Sequence, residues 1–326
     1  MNNILEKISF MGIVPVVKID DAKDAAPLAK ALCDGGLPCA EVTFRTDAAK
    51  DAISIMTKEY PDMLIGAGTV LTTAQADEAI SAGASFIVSP GLNPEVVKHC
   101  VDKGVPVTPG CANPSDIETA ISLGLDVVKF FPAEAAGGLP MIKAMSAPYT
   151  DVKFMPTGGI NASNINTYLA FPKIIACGGS WMVSGKLISE GRFDEITRLT
   201  SEAVMTMLGF EVRHIGINTK SKSEADSLAS AFDRLFGFKT TDAPGKVGYF
   251  AGDGIELLFD KNVFTGENGH IAILTNSIER ARFHLGLKGV KFKEETARYD
   301  ENGVCTFLYI DGLYSGFTIH LSRRCQ

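Results

Sequence analysis

The segment LIGAGTVLTTAQADEAISAGASFIVSPGLNPEVVKHCVDKGVPVTPGCANPSDIETAISLGLDVVKF, residues 64–130, decides the fold. It repeats one pattern three times: a short apolar run, a polar capping residue, a helical stretch and a glycine. The capping residues are Thr72, Asn93 and Asn113. The closing glycines are Gly83, Gly104 and Gly124. Because these residue types begin and end helices, the segment predicts alternating strands and helices.

The same alternation extends to both sides of this segment. Strand candidates 19 to 26 residues apart begin near Ile13, Cys39, Leu64, Phe86, Val105, Val127, Lys153 and Lys173. Each interval accommodates one strand, one helix and two short loops, so eight units predict a closed parallel (β/α)8 TIM barrel. An open doubly wound sheet is the alternative, but it requires a glycine-rich turn after the first strand, and IVPVVKIDD (13–21) has no glycine.

Several residues that interrupt the predicted strands or follow them are candidates for a functional site, and most of them are polar. In a barrel of this kind, chemistry collects at the carboxyl ends of the strands, because the loops there converge over the barrel mouth. The residues at such positions are Lys18, Glu41, Arg45, Thr69, Pro90, Lys129 and Phe131. Taken singly, Thr69, Pro90 and Phe131 are better explained by packing.

Lys129 is the most informative of these residues, because it lies inside the apolar strand VVKFF. Burying an unpaired ammonium is costly, so apolar surroundings favour the free amine, which can form a Schiff base with a carbonyl substrate. Glu41 interrupts another apolar strand and could exchange protons with such an intermediate. A salt bridge without chemistry is the alternative for both residues. Arg45 is either a solvated strand end or a clamp on a substrate carboxylate.

Two glycine turns end the last two strands. PTGGI contains Gly158 and Gly159, and CGGSW contains Gly178, Gly179 and Ser180. Backbone N–H groups in such turns, followed by helix N-termini, favour an anion. Ordinary helix entry is the alternative. We therefore expect a phosphorylated substrate.

Six motifs in chain order, EVTFRT, GAGTV, IVSPG, VVKFFPAE, PTGGI and GGSW, together resemble the class I 2-keto-3-deoxy-6-phosphogluconate / 4-hydroxy-2-oxoglutarate aldolases over residues 4–205. The resemblance implies that Lys129 forms the imine and that Glu41 is the general acid/base. The substrate contacts it implies are Arg45 and Thr69 for the carboxylate, Gly158, Gly159 and Ser180 for the phosphate, and Pro90 and Phe131 for the pocket wall. Lys18 stands where many members carry arginine and is a further candidate contact.

The resemblance also implies an activity. A phosphorylated 2-keto sugar acid would be cleaved to pyruvate and glyceraldehyde 3-phosphate, with 4-hydroxy-2-oxoglutarate as a second substrate giving glyoxylate. No cofactor is needed for this reaction, and family members are usually homotrimers. A phosphosugar isomerase or epimerase barrel is the alternative, since a phosphate site does not specify the reaction. Such enzymes usually need opposed carboxylates or a metal-binding His/Asp set, and the barrel contains only His99, in a helical stretch.

The pattern changes after residue 210, so we expect domains at 1–208 and 211–326. The remaining sequence contains two copies of one unit, the first opening with HIGINT at His214 and the second with HIAILT at His270. A smaller α+β domain of tandem βαβββ units is predicted. It resembles the vicinal oxygen chelate family, which includes glyoxalase I and bleomycin-resistance proteins, over residues 211–324.

This second resemblance implies four metal ligands, His214, Glu256, His270 and His320. Three of the five histidines of the chain fall on these positions, and three imidazoles suit a divalent metal, above all Zn. The last position is more often Glu in the enzymes, so His320 departs from glyoxalase chemistry. A metal-free pocket, or a non-catalytic regulatory or assembly module, is the alternative. We expect His284, in a helical stretch, at the surface.

Composition limits the partners of the chain. With 326 residues and 46% hydrophobic residues it can bury a sizeable core. A net charge of −7 argues against binding to nucleic acid or to an anionic membrane surface. Seven cysteines without a C-x-x-C pair, and a polar start without an apolar signal segment, predict reduced thiols and a cytoplasmic location.

Overall fold

The computed structural model describes residues 3–243, 245, 247–260 and 266–324. The chain divides into two compact units, residues 1–207 and 208–326. Among the described residues, no helix combines the length and the apolar character that crossing a membrane requires.

Short strands alternate with helices in the first unit. The strands are β1 (Ile13–Val17), β2 (Cys39–Thr43), β3 (Leu64–Gly68), β4 (Phe86–Val88), β5 (Val107–Thr108), β6 (Val127–Phe130), β7 (Lys153–Pro156) and β8 (Cys177–Gly179). The helices are α1 (Asn3–Met11), α2 (Ala25–Asp34), α3 (Ala49–Glu59), α4 (Thr73–Ser81), α5 (Pro94–Asp102), α6 (Pro114–Ser122), α7 (Gly138–Ser146), α8 (Ile165–Leu169), α9 (Gly185–Ser189) and α10 (Phe193–Leu208).

The eight strands close into a ring. Strands β5-β4-β3-β2-β1-β8 are hydrogen-bonded in that order, and β6 pairs with β7. Parallel bridges between Gly110 and Lys129 and between Thr157 and Gly178 join the two sets. This arrangement confirms the prediction of a (β/α) barrel.

The capping residues also act as predicted. Thr72 accepts a hydrogen bond from the Gln75 N–H, and the Asn93 and Asn113 side chains accept from the first turns of α5 and α6. The three closing glycines have φ values of +102°, +69° and +82° in chain order. Glycine adopts this left-handed conformation without steric cost, so each helix ends where the sequence indicated.

Two strands begin later than predicted. β5 starts at Val107 instead of Val105, because Pro106 has no N–H and contributes only its carbonyl, which accepts from Ile87 N at 2.8 Å. β8 starts at Cys177 instead of Lys173. The segment from Lys173 to Cys177 pairs first with β7, where Phe154 N donates to Lys173 O at 2.8 Å. Only Cys177 N donates on the side of β1, to Gly12 O at 3.0 Å.

Glycines in β3 make room for larger side chains inside the barrel. A Cβ on Gly66 would overlap the ring of Phe86, which is fully buried. A Cβ on Gly68 would overlap the carboxylate of Glu41. The barrel interior is therefore a packed core in which β3 supplies space.

The described residues of the second unit form one eight-stranded sheet and two helices. In chain order its described elements are β9 (Glu211–Asn218), α11 (Lys222–Phe236), β10 (Thr240–Asp242), β11 (Gly248–Ala251), β12 (Ile255–Leu258), β13 (Gly269–Thr275), α12 (Ile278–Leu287), β14 (Phe292–Tyr299), β15 (Cys305–Ile310) and β16 (Phe317–Arg323). The sheet order is β10-β11-β12-β9-β13-β16-β15-β14. The antiparallel pair β9–β13 joins the two halves of the sheet.

Each helix packs on its own half of this sheet. Ala225 and Ala229 of α11 contact Ala251 and Leu257 in one apolar cluster, and α12 contacts β15 and β16. The expectation that His284 lies at the surface is wrong. It is buried on the same face of α12 as Ile278 and Ala281, because these positions recur with the helical period.

Gly66→Ala is expected to lower the free energy of unfolding by about 1–3 kcal/mol, since the added methyl overlaps the Phe86 ring in a packed interior. Gly185→Ala is the matched control, because a Cβ there meets nothing within 4 Å. Its effect should stay within about 0.5 kcal/mol. Urea unfolding followed by circular dichroism measures both, and equal effects of the two substitutions would contradict the packing argument.

Candidate functional site

A buried lysine–glutamate pair crosses the inside of the barrel. Nζ of Lys129 in β6 donates to Oε1 of Glu41 in β2 at 3.1 Å. The two residues are only 5% and 1% exposed. Because β2 and β6 are four strands apart in a ring of eight, closure of the barrel brings these side chains together.

The second carboxylate oxygen of Glu41 has no hydrogen-bond partner among the described residues, although it is buried. The carboxylate lies directly over Gly68, which has no side chain to meet it. A buried acceptor without a partner is costly. A water or a substrate group is therefore expected at Oε2.

Lys129 is held rigidly at its backbone. Its N–H donates to Pro109 O at 2.9 Å, and its carbonyl accepts from Cys111 N at 2.8 Å. Nζ of Lys129 lies 5.5 Å from the centre of the Phe131 ring. The side chain thus reaches into the barrel between one carboxylate and one aromatic face.

Four of the predicted contact residues follow strands at the barrel mouth. Thr69 comes directly after Gly68 and has φ +58°, a left-handed conformation that is uncommon for threonine. Phe131 is 37% exposed, and Pro90 is half-buried against Gly110. Arg45 is exposed and forms no ion pair with any described residue, so its guanidinium is available to a ligand.

Lys18 is placed less favourably. Its amine forms a 2.6 Å ion pair with Asp20, and both side chains are largely exposed. The cation that the sequence places at the end of β1 is therefore already engaged by a surface carboxylate.

The turn after β7 is tied down through its carbonyl groups. Gly158 O accepts from Glu134 N at 3.0 Å, and Gly159 O accepts from the side-chain amides of Asn161 and Asn164 at 3.2 and 3.0 Å. Both glycines are left-handed, with φ +101° and +82°. Among the described residues, no hydrogen bond uses the N–H of Gly159.

The turn after β8 lies beside it, since Gly178 pairs with Thr157. Gly179 is covered by the ring of Trp181, and Ser180 is exposed. The Ser180 N–H has no hydrogen-bond partner within the described part of the chain. The following helices, α8 and α9, begin only at Ile165 and Gly185. The N–H groups without a partner in the described part of the chain therefore belong to the turns themselves and not to helix N-termini.

Several polar residues of this region were not identified from the sequence. Thr108 and Thr157 have buried hydroxyl groups without a partner among the described residues. Glu134 accepts a hydrogen bond from Tyr168, which is buried in α8. Thr157 and Glu134 lie within the motifs PTGGI and VVKFFPAE, which could have drawn attention to them, whereas Tyr168 has no sequence signal.

A second buried polar cluster lies in the second unit. His214, His270 and His320 can each offer a nitrogen within 4.8 Å of the others. Oε2 of Glu256 is 3.4 Å from His214 Nε2 and 3.1 Å from His270 Nε2. The two imidazole nitrogens are 3.0 Å apart. The three histidines named from the sequence therefore lie together, and Glu256 contacts two of them, His214 and His270.

This cluster strongly perturbs its titratable groups. Burial alone would raise the pKa of Glu256, but hydrogen bonds from His214 and His270 lower it to about 2. Burial and the neighbouring His270 and His214 lower the pKa of His320 to about 3. Glu256 is therefore an anion and His320 a neutral imidazole near pH 7, the forms that bind metal.

The spacing of three of these residues can be compared with that of a metal centre. In a tetrahedral Zn site with bonds of about 2.0–2.1 Å, ligand atoms are about 3.3 Å apart. The separations of 3.0, 3.4 and 3.1 Å among His214, Glu256 and His270 are close to this value. Gly216 makes room for the ring of His270, and a cavity of about 420 Å³ lies beside His214.

Comparison with known proteins concerns the barrel unit. The family model for KDPG and KHG aldolase matches residues 4–199. A 2-dehydro-3-deoxy-phosphogluconate aldolase of Haemophilus influenzae is 53% identical over 201 residues, covering 62% of this chain and 95% of that protein. The KHG/KDPG aldolase of Escherichia coli is 42% identical over 192 residues, which cover 59% of this chain and 90% of that protein.

A solved structure agrees with these relatives. The KDPG aldolase of Legionella pneumophila, with pyruvate captured at low pH as a covalent carbinolamine intermediate, is 40% identical with a TM-score of 0.59. The match covers 61% of this chain and 97% of that one. Since the matched family model spans more than half of the chain, the chain belongs to the KDPG and KHG aldolase family.

Proposed function

We propose that the first unit is a class I aldolase that cleaves 2-keto-3-deoxy-6-phosphogluconate to pyruvate and glyceraldehyde 3-phosphate. The observation that carries this proposal is the buried contact between Lys129 and Glu41 across the barrel. It provides a nucleophilic amine and a proton acceptor at hydrogen-bond distance, as covalent catalysis requires. The covalent pyruvate adduct of the Legionella relative supports the same chemistry.

The reaction follows from this pair. Lys129 as the free amine attacks the C2 ketone, and Glu41 transfers the protons that turn the carbinolamine into a protonated imine and water. The imine withdraws electrons from the C3–C4 bond. Glu41 removes the C4 hydroxyl proton, either directly with Oε2 or through a water. The C3–C4 bond then breaks, glyceraldehyde 3-phosphate departs, and an enamine remains on Lys129. Protonation of C3 and hydrolysis of the imine release pyruvate and restore Lys129.

The order of the strands around the barrel mouth is consistent with a substrate that extends to both sides of Lys129. Arg45 and Thr69, after β2 and β3, are on the side that would bind the carboxylate. The turns at Gly158–Gly159 and Ser180, after β7 and β8, are on the side that would bind the phosphate. Phe131 and Pro90 would line the pocket between them. Lys18 stays a prediction as a further contact, because Asp20 engages its amine.

The unphosphorylated 4-hydroxy-2-oxoglutarate would use the same lysine and carboxylate contacts. It would lack the interaction with the glycine turns. The homotrimer that the family resemblance implies stays a prediction.

For the second unit we propose two tandem βαβββ units of the vicinal oxygen chelate type. The chain order of strand, helix and three strands occurs twice, and the sheet order is symmetric about the β9–β13 pair. The ligand positions repeat as well. Glu256 in β12 pairs with Gly216, two residues after His214, and His320 in β16 pairs with Ala272, two residues after His270. This equivalence supports a duplication that preserves a shared site.

We propose further that His214, Glu256, His270 and His320 hold a divalent metal ion, with Zn the best match to three imidazoles. Such an ion would supply Lewis acid polarisation of a bound oxygen. Glu256 supplies the negative charge, and Gly216 leaves the space that His270 occupies. A regulatory or assembly role without metal is the alternative, because burial and aromatic packing alone would also stabilise these rings.

Borohydride added with pyruvate should attach one reduced pyruvyl group to Lys129, detectable by peptide mass mapping. Lys129→Ala should abolish both the adduct and the release of pyruvate from the aldol substrate. Glu41→Gln should lower kcat by about 10²–10⁴, since it removes the proton acceptor. Lys98→Ala, a surface substitution, is the control. An active chain that gives no adduct would refute the Schiff base.

Gly159→Ala should raise KM for the phosphorylated substrate at least about tenfold, because the added Cβ lies 2.5 Å from Glu134 Cγ and the turn must shift. KM for 4-hydroxy-2-oxoglutarate should change little. Gly124→Ala is a matched control, since Gly124 has the same φ of +82° but nothing within 4 Å of its Cβ. Trp181, the single tryptophan, allows inorganic phosphate binding to be followed by fluorescence. Equal KM changes for both substrates would contradict a phosphate turn.

The full chain dialysed against Zn²⁺ and then against metal-free buffer should retain one equivalent of Zn by elemental analysis. His214→Ala and His270→Ala should each weaken Zn binding by about two orders of magnitude, because each removes a buried ligand. His99→Ala removes a histidine of the barrel instead and should leave the Zn content unchanged. A chain that retains no Zn, or a His214→Ala chain that retains all of it, would leave the metal-free alternative.

A further inference from the structure

The contact between Glu134 and Tyr168 takes no part in the chemistry described above. The Tyr168 hydroxyl in α8 donates to Oε1 of Glu134, which follows β6. Tyr168 is only 2% exposed and is among the largest fully buried side chains. Burial and the carboxylate keep the pKa of Tyr168 above its usual range, so the hydroxyl stays protonated and can donate. The hydrogen bond therefore fixes the direction of the Glu134 carboxylate.

Glu134 is also in direct contact with the turn that follows β7. Its N–H donates to Gly158 O at 3.0 Å, and a Cβ on Gly159 would lie only 2.5 Å from its Cγ. The preceding residues continue this contact, since Ala133 N donates to Thr157 O at 2.8 Å. The segment after β6 thus packs its backbone and the Glu134 stem against the turn.

Tyr168 anchors this arrangement through the helix that follows the turn. The chain passes from Gly159 through Asn161 and Asn164, whose amides hold Gly159 O, into α8. The turn therefore contacts the Glu134 stem and leads directly into the helix that carries Tyr168. Rotation of the Gly158–Gly159 peptide would require Glu134 to move, and Tyr168 opposes that movement.

The carboxylate has a second consequence for an anion site. A negative charge close to a bound phosphate would repel it. Glu134 itself is exposed, but its hydrogen bond to the buried Tyr168 occupies Oε1 with a protein donor. That oxygen is therefore already engaged and does not need the N–H groups of the turn. A hydrophobic residue at this position could pack on the turn but could not be directed in this way.

We propose that Glu134 and Tyr168 are positioning residues that hold the Gly158–Gly159 turn in the conformation that binds the phosphate of the substrate. The inference rests on the proposed phosphate site and deepens it. Neither residue touches the reacting atoms. Their removal should therefore affect binding of the phosphorylated end and leave the chemistry at Lys129 unchanged.

The test compares substrates with and without a phosphate on the full-length chain. Tyr168→Phe removes one hydroxyl and should raise KM for 2-keto-3-deoxy-6-phosphogluconate about tenfold, with kcat within about twofold. KM for 4-hydroxy-2-oxoglutarate should stay within about twofold. Glu134→Ala should reproduce this pattern, whereas Glu134→Gln should be close to the unmodified chain, because its amide oxygen still accepts from Tyr168.

The chain contains a matched control. Tyr149 donates to Glu118 Oε1 at 3.1 Å in an exposed pair of the same unit. Tyr149→Phe should change neither KM. Thermal unfolding of both Tyr→Phe chains shows whether either loses the fold, and if Tyr168→Phe does, the Glu134→Ala and Glu134→Gln pair carries the comparison.

The outcomes separate this inference from the proposed function. Equal losses on both substrates, no change in Tyr168→Phe, or a Glu134→Gln chain as impaired as Glu134→Ala would each overturn the positioning role. If the Gly159→Ala chain binds both substrates like the unmodified chain, the phosphate site itself fails. The trapping of pyruvate on Lys129 would then still stand, because it does not depend on the turn.

Discussion

The hydrogen bond between Lys129 and Glu41 is the interaction on which the rest of the barrel depends. Two ionisable side chains from opposite strands are buried together, and each would be costly to bury without the other. Barrel closure brings them within 3.1 Å, and the glycine of β3 at position 68 leaves the space that the carboxylate fills. The pair is thus a constraint on the fold as well as a source of chemistry, since Glu41 Oε2 and the amine are the groups that a ketone substrate would meet.

Glycines set the shape of both ends of this site. Gly66 and Gly68 admit Phe86 and Glu41 into the barrel interior, where any Cβ would overlap them. Gly158 and Gly159 allow a left-handed turn in which the carbonyl groups of both glycines are engaged by protein, whereas the N–H of Gly159 has no partner among the described residues. The same residue type therefore provides volume at one place and backbone conformation at another. Glu134 contacts this turn from outside and accepts a hydrogen bond from Tyr168.

In the second unit, a repeated structure brings polar side chains together. Equivalent strands of its two halves place His214 and His270, and Glu256 and His320, at matching register positions. The antiparallel pairing of β9 with β13 then brings the two halves of the cluster together. Local sequence similarity between HIGINT and HIAILT reveals the repeat, whereas convergence of four side chains depends on how the halves pair.

The sequence by itself determined the alternation of strands and helices and the helix starts at Thr72, Asn93 and Asn113. It also singled out Lys129 and Glu41 as ionisable residues inside apolar strands. Propensity, capping and polarity are local properties, so no tertiary information was needed. It misplaced the starts of β5 and β8 and the exposure of His284, which depend on neighbouring strands and on packing. Only the tertiary structure decided that Lys129 contacts Glu41, that Asp20 engages Lys18, and that Tyr168 donates to Glu134. Lys129 and Glu41 are 88 residues apart and Tyr168 and Glu134 are 34 apart, so barrel closure and packing decide that they meet, which no local pattern encodes. Lys18 and Asp20 are only two residues apart, and for them the direction of the side chains decides.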